Sequence, residues 1–209
     1  MRDEHLRELE RRFRQGGGEE EEVAYLLARL RVGELPAERL RIAALVGYAP
    51  ARRALESPDA PQLLDHRSRR PIPDDAGMLR ELEQLSTEAL VRYGAAVTRN
   101  RIRGVPIPAA VLSLNAGLEL IEAWLANPNE EQAGQARVLA ESMWQGVGAP
   151  GAPTSYASYA LALTAFVASG GEVPGAAQPE YLLSHVQEGD REAACAAVSA
   201  WALGEAPSA

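Results

Sequence analysis

From Leu6 to Trp201, the apolar side chains of this chain recur at intervals of three and four residues. That interval returns each side chain to one face of a helix, whereas a half-buried strand needs alternation at every second residue. The clearest run is Val111, Leu114, Leu118, Ile121 and Leu125, opened by Pro108 and ended by Asn127-Pro128. Proline suits the first turn of a helix and cannot continue one, so it serves at both ends. Aromatic residues make up only 5% of the 209, and alanine supplies much of the 46% hydrophobic content. A β-sandwich draws on more β-branched and aromatic residues than this. Alanine loses no side-chain entropy in a helix and lets two helix axes approach closely. The expected fold is all-α, with about eight to ten helices in antiparallel hairpins forming an irregular bundle or a short solenoid.

The stops in that rhythm set the order of elements. Residues 2–15 carry Leu6, Leu9 and Phe13 on one face and end at Gly16-Gly17-Gly18. Glu19 to Glu22 then precede a helix bearing Val23, Leu26, Leu27 and Leu30, where four carboxylates meet the positive end of the macrodipole. Pro36 opens a third helix through Leu40, Ala43, Ala44 and Val46, stopped by Gly47, and Pro50 starts a short one with Ala54 and Leu55. Residues 57–77 hold Pro58, Pro61, Pro71 and Pro73 around Asp65-His66-Arg67-Ser68-Arg69-Arg70 and read as a Pro-rich loop. Loops of that length inside compact domains often carry function. After Gly77, a stripe of Leu79, Leu82, Leu85, Ala89 and Tyr93 is interrupted near Gly94. Further helices are expected over 108–126, 129–145, 154–169, 179–188 and 190–203, the last with Asp190 as its N-cap. Trp124, Trp144 and Trp201 each stand just before a helix stop, where a large ring can close one end of a bundle.

Charge divides the chain as well. There is no lysine, and 19 of the 21 arginines lie at or before Arg103. Residues 1–104 balance those 19 against 18 acids, while residues 105–209 set only Arg137 and Arg191 against 11 acids. Together with Gly104-Val105-Pro106-Ile107-Pro108, this suggests an Arg-rich, charge-balanced subdomain over 1–104 and an acidic, Ala-rich one over 105–209. The lack of lysine excludes a Walker-type phosphate loop, a pyridoxal Schiff base and a lysine general base. The single Cys195 has no internal disulfide partner, and its alanine neighbours suggest a small buried hydrophobe in a reducing cytoplasm. The charged start Met1-Arg2-Asp3-Glu4-His5 has no apolar core of a signal peptide. The longest apolar stretch, over 156–169, is too short and too rich in Ala and Ser to span a bilayer, so no membrane is expected.

The stretch from Leu30 through Gly33, Leu35, Leu40, Ala43-Ala44 and Gly47 to Ala54-Leu55 resembles a helical segment of uncharacterised proteins from high-GC bacteria. Its pattern is L-x-x-G-x-L-x-x-x-x-L-x-x-A-A-x-x-G followed by A-x-x-A-L. From Glu122-Ala-Trp-Leu-Ala-Asn-Pro to the closing Ala-rich helix, the chain is similar to the later part of the same proteins, and loosely resembles Ala-rich helical immunity proteins. The resemblance implies an array of α-hairpins, somewhat HEAT-like, that binds another protein. It carries over no functional residue.

No group of residues makes a strong catalytic signature. His5, His66 and His185 lie far apart without a second ligand at metal spacing, so no metal or cofactor is expected. Asp65, His66 and Ser68 contain the residue types of a hydrolase triad, but adjacent loop residues seldom converge as a triad must. An enzyme built on His66, Asp65 and Asp74 or Asp75 is one alternative, and a small-ligand pocket near Trp144, Tyr156 and Tyr159 is another. Glu119 and Glu122 fall on the polar face opposite the Val111 to Leu125 stripe. The arginines are the better candidates: Arg67, Arg69 and Arg70, then Arg99, Arg101 and Arg103, whose planar forks suit carboxylates. Nucleic acid is disfavoured by a pI near 5.0 and few aromatics beside the clusters. The resulting expectation is a non-enzymatic interaction protein (scaffold, adaptor or immunity-type inhibitor). It would bind another, basic protein through Arg67, Arg69, Arg70, Arg99, Arg101, Arg103, Glu119 and Glu122.

Overall fold

The computed structural model describes residues 2–60, 75–106, 108–145, 153–170 and 188–204. Among these the fold is all-α, with no strand. The helices are α1 (Arg2–Arg14), α2 (Glu19–Val32), α3 (Ala37–Leu45), α4 (Ala49–Glu56), α5 (Asp75–Leu85), α6 (Thr87–Ile102), α7 (Pro108–Ala126), α8 (Glu130–Gln145), α9 (Pro153–Ala168) and α10 (Glu188–Leu203). The helix expected over 179–188 lies almost wholly outside the described residues.

The chain divides into two compact units, Met1–Asp74 with Val198–Ala209, and Asp75–Ala197. This corrects the boundary expected near residue 105. Ile102 and Val105 are buried in the same apolar cluster as Leu114, Leu118 and Ile121, so the Gly/Pro segment joins helices of one core. The charge asymmetry survives the new boundary. The second unit holds seven arginines against fourteen acids, the first fourteen against fifteen.

In the first unit α1 packs on α2, and α4 packs on both α2 and α3. Gly47 works as the stop expected, and Gly33 ends α2 in the same way. Gly33 has φ +81° and Gly47 φ +92°, the left-handed conformation that glycine adopts without a Cβ penalty. Each donates its N–H to the carbonyl three residues back, to Leu30 and Ala44, and the next N–H reaches Arg29 or Ala43. This paired closure satisfies carbonyls that a helix end leaves open. Leu26, Leu27, Leu30, Leu40, Ile42 and Leu45 are all buried.

The second unit is built around α9. Ala157, Ala160, Leu161, Ala162, Leu163, Ala165, Phe166 and Ala168 are buried, a set that covers nearly the whole circumference of the helix. A helix apolar all round belongs in a core. α6, α7 and α8 pack against it, and α5 packs on α6. A solenoid repeat touches only its sequence neighbours. Here α6 and α9 meet across two intervening helices, which makes this unit a bundle.

The meeting of α6 and α9 explains a second correction. Gly94 does not interrupt a helix: it sits in the middle of α6, and the break falls at Ser86, whose hydroxyl caps α6 by accepting from the Ala89 N–H at 3.2 Å. A methyl group on Gly94 would clash with the Thr164 hydroxyl and lie 3.1 Å from its Cβ. Thr164 and Thr98 hide their hydroxyls by donating to Ala160 O at 2.7 Å and Gly94 O at 2.8 Å. Glycine is therefore kept for close approach, despite its low helix propensity. We expect Gly94→Ala to lose about 1–2 kcal/mol, because overpacking outweighs the roughly 1 kcal/mol that alanine gains in a helix. Thr164→Ala in the same chain should recover part of that loss. Urea unfolding followed by circular dichroism reads both, and a stabilised Gly94→Ala would contradict the packing argument.

Candidate interaction surface

The arginines are largely committed to the fold. Arg101 donates through Nε to Asp190 Oδ2 at 3.0 Å, and the Asn100 amide donates to Asp190 Oδ1 at 2.8 Å. The side chains of this ion pair are only 10% and 6% exposed. Asp190, expected as an N-cap, instead lies inside the first turn of α10 and ties that turn to α6. Its carboxylate also stands at the positive end of the helix, which favours its charge. Arg99 pairs with Glu122, and both are about half exposed. Arg103, at the end of α6, is exposed and has no partner among the described residues. The expected basic cluster at 99–103 is thus split, with two of its three members turned to the chain's own acids. Arg67, Arg69 and Arg70 lie outside the described residues.

In the first unit, arginines close helix ends. Arg29 donates to Leu203 O at 2.7 Å, Arg39 to Trp201 O at 3.2 Å, and Arg52 to Ala44 O at 3.0 Å. The last carbonyls of a helix have no partner within it and attract cations. Arg39 also lies over the Trp201 ring, 4.3 Å from its centroid. Arg53 reaches Glu19 at 3.3 Å, and Tyr48 bonds Glu22, which gives the acidic start of α2 partners on the α3–α4 side. On α1, Arg11 and Arg12 both hydrogen-bond Glu8 and hold its carboxyl down to about 2. Arg41 is buried in α3 and also engaged.

Exposed acids without a partner among the described residues are scattered over several helices (Glu20, Glu38, Glu56, Glu83 and Glu192 among them), and on the α7–α8 hairpin of the second unit they stand with exposed apolar side chains. Asn127-Pro128-Asn129 ends α7, and the Asn129 side chain accepts from the Gln132 N–H at 2.9 Å to start α8. α7 sends Leu114, Gly117, Leu118, Ile121 and Trp124 inward. Leu112 on α7 and Val138 on α8 are left 72% and 68% exposed. An open groove runs along the hairpin, lined by Leu120, Glu131, Gly134, Gln135, Val138 and Leu139 with Ser142. The hairpin carries five acids and one arginine. Glu122 and Glu141 are paired with Arg99 and Arg137. Glu119, Glu130 and Glu131 are exposed and have no partner among the described residues.

Sequence reasoning named Glu119, which is exposed, and did not name Leu112 or Val138. The available signal was phase. Leu112 follows Val111 by one residue, about 100° round the helix from the inward stripe, and Val138 falls off the Ala133, Ala136, Ala140, Met143 face in the same way. Two other expectations change. Cys195 is half-buried, because Ala194 and Val198 occupy the buried face of α10. Among the described residues, the helix long and apolar enough to cross a membrane is α7, although Glu119 and Glu122 stand within it and its inward residues fill a protein core.

Among the described residues no group of three or more His, Cys, Asp or Glu could hold a metal. His5 is exposed on α1. Asp65, His66, Ser68, Asp74 and His185 lie outside the described residues, as do the side chains of Asp75, Trp144, Tyr156 and Tyr159. Comparison with protein-family models, curated proteins and solved structures finds no match for this chain.

The two ion pairs of α6 should differ sharply in worth. Asp190→Ala takes a buried carboxylate away from Arg101, and we expect a loss of about 3 kcal/mol or more. Glu122→Ala, at a screened and half-exposed pair, should cost about 1 kcal/mol or less. Denaturant midpoints of the two variants check this, and equal losses would contradict it.

Proposed function

We propose that this chain is a non-enzymatic protein–protein interaction module, a scaffold, adaptor or immunity-type inhibitor, that binds a basic partner through the acidic face of its second unit. The observation that carries the reading is the α7–α8 hairpin. Glu119, Glu130 and Glu131 hold no partner there among the described residues, on the same hairpin as the exposed Leu112 and Val138. Unpaired surface acids steer a positively charged partner and set its orientation, while apolar contact supplies residence. Most other charges that can be followed are used internally, as Arg101–Asp190 and Arg99–Glu122 are. An inhibitor of a basic toxin would use such a surface, in line with the resemblance to immunity proteins.

The test is affinity capture with the full chain and with the triple variant Glu119→Lys, Glu130→Lys, Glu131→Lys. The wild type should retain one partner at low salt and release it as ionic strength shortens the Debye length below about 8 Å. The charge-reversed chain, with unchanged helix content, should retain none of it. Absence of any retained partner, or equal retention by both chains, would overturn the reading.

A further inference from the structure

We infer that the α7–α8 groove receives an amphipathic helix of the partner, with one apolar residue seated against Val138 and Lys or Arg residues flanking it. This rests on the interaction reading above and names the chemistry that the surface selects.

The groove has an apolar floor and an acidic rim. Leu120, Val138 and Leu139 supply the floor, Gly134 contributes no side chain to obstruct it, and Glu131 lines one edge. Glu119 and Glu130, exposed on the same hairpin, adjoin the lining residues Leu120 and Glu131 in sequence. Leu112, exposed about two turns before Leu120 on α7, lies outside this lining. A furrow between two helices accepts a third helix through apolar anchors at i, i+3, i+4 and i+7. A strand would need an exposed sheet edge, and the described residues contain no sheet.

Charge selects among the possible occupants. A second copy of this chain, related by a two-fold axis, would bring Glu119, Glu130 and Glu131 against the same residues, which is repulsive. An anionic membrane surface would meet the same carboxylates and is disfavoured for the same reason. Nucleic acid is excluded from this face by its sign. A helix with an apolar stripe between basic residues satisfies both parts of the surface at once, since the stripe covers Val138 and the flanks meet the rim.

The experiment uses the full chain and three fluorescent 18-residue peptides. The first places leucines at i, i+3, i+4 and i+7 with Arg and Lys on either side. The second has the same composition with the leucines spread round the helix, and the third replaces the basic residues with Glu. By anisotropy, the first peptide should bind at least tenfold tighter than the second, and the third should not bind. Val138→Asp is an exposed change, checked by circular dichroism, and should weaken the first peptide at least tenfold. Glu130→Arg with Glu131→Arg should weaken it and flatten its salt dependence. Equal binding of the first two peptides, indifference to Val138→Asp, or no binding at all would overturn the inference. So would a dimer in light scattering, or binding to anionic vesicles, that Val138→Asp abolishes. If the peptide fails while captured partner is still lost on charge reversal, the interaction reading stands and the helix-in-groove assignment falls.

Discussion

Thr164 of α9 lies where a side chain on Gly94 of α6 would have to be, and the second unit depends on that close approach. A helix with alanine, leucine and threonine round nearly its whole surface has no face to offer water. It folds only if several helices come near enough to cover it, and small residues are what allow this. α9 is covered by α6, α7 and α8, each presenting its own apolar stripe. The two threonines in the contact return their hydroxyls to carbonyls four residues back, so neither hydroxyl is left unmet. With α9 filling the middle, α7 needs only one face for the core, and its other side is free to carry Leu112 and Glu119.

Arginine is the only strong cation in this chain, and the structure uses it where a fork is worth more than a point charge. Arg29, Arg39 and Arg52 close the carboxyl ends of helices, and Arg101 takes a buried carboxylate together with Asn100. The consequence for function is one of subtraction. Among the described residues, Arg99 and Arg101 of one sequence cluster are taken by Glu122 and Asp190, while Glu119, Glu130 and Glu131 on α7 and α8 are left for other contacts. An electrostatic surface is defined by what the fold leaves unpaired.

The helices were legible because their signals are local. Three-and-four spacing, a proline at the start and a glycine in the left-handed region at the end are written within a few residues of each element, and α2, α3 and α7 fall where those marks put them. The fold class followed from the same marks. The failures needed information from distant residues. Gly94 carries the same letter as a helix stop, and only Thr164, seventy positions away, makes it a packing residue. Asp190 has the type and place of an N-cap until Arg101 and Asn100 claim its carboxylate. The boundary near 105 was drawn on charge and proline, although Ile102 and Val105 belong to the core of the helices that follow. Of the candidate site, Glu119 was visible from its phase on α7. Val138 was not, because a single valine off the apolar stripe is unremarkable until a groove is seen beside it.

Native-state amide exchange tests the central claim most directly, since a helix sealed on all sides can open only when its unit unfolds. We expect the amides of residues 157–168 to be the slowest in the second unit, exchanging at the rate of that unit's complete unfolding, while the outward faces of α7 and α8 exchange through smaller openings. Exchange over 157–168 as fast as over 130–142 would show that α9 is not the buried element on which the bundle is built.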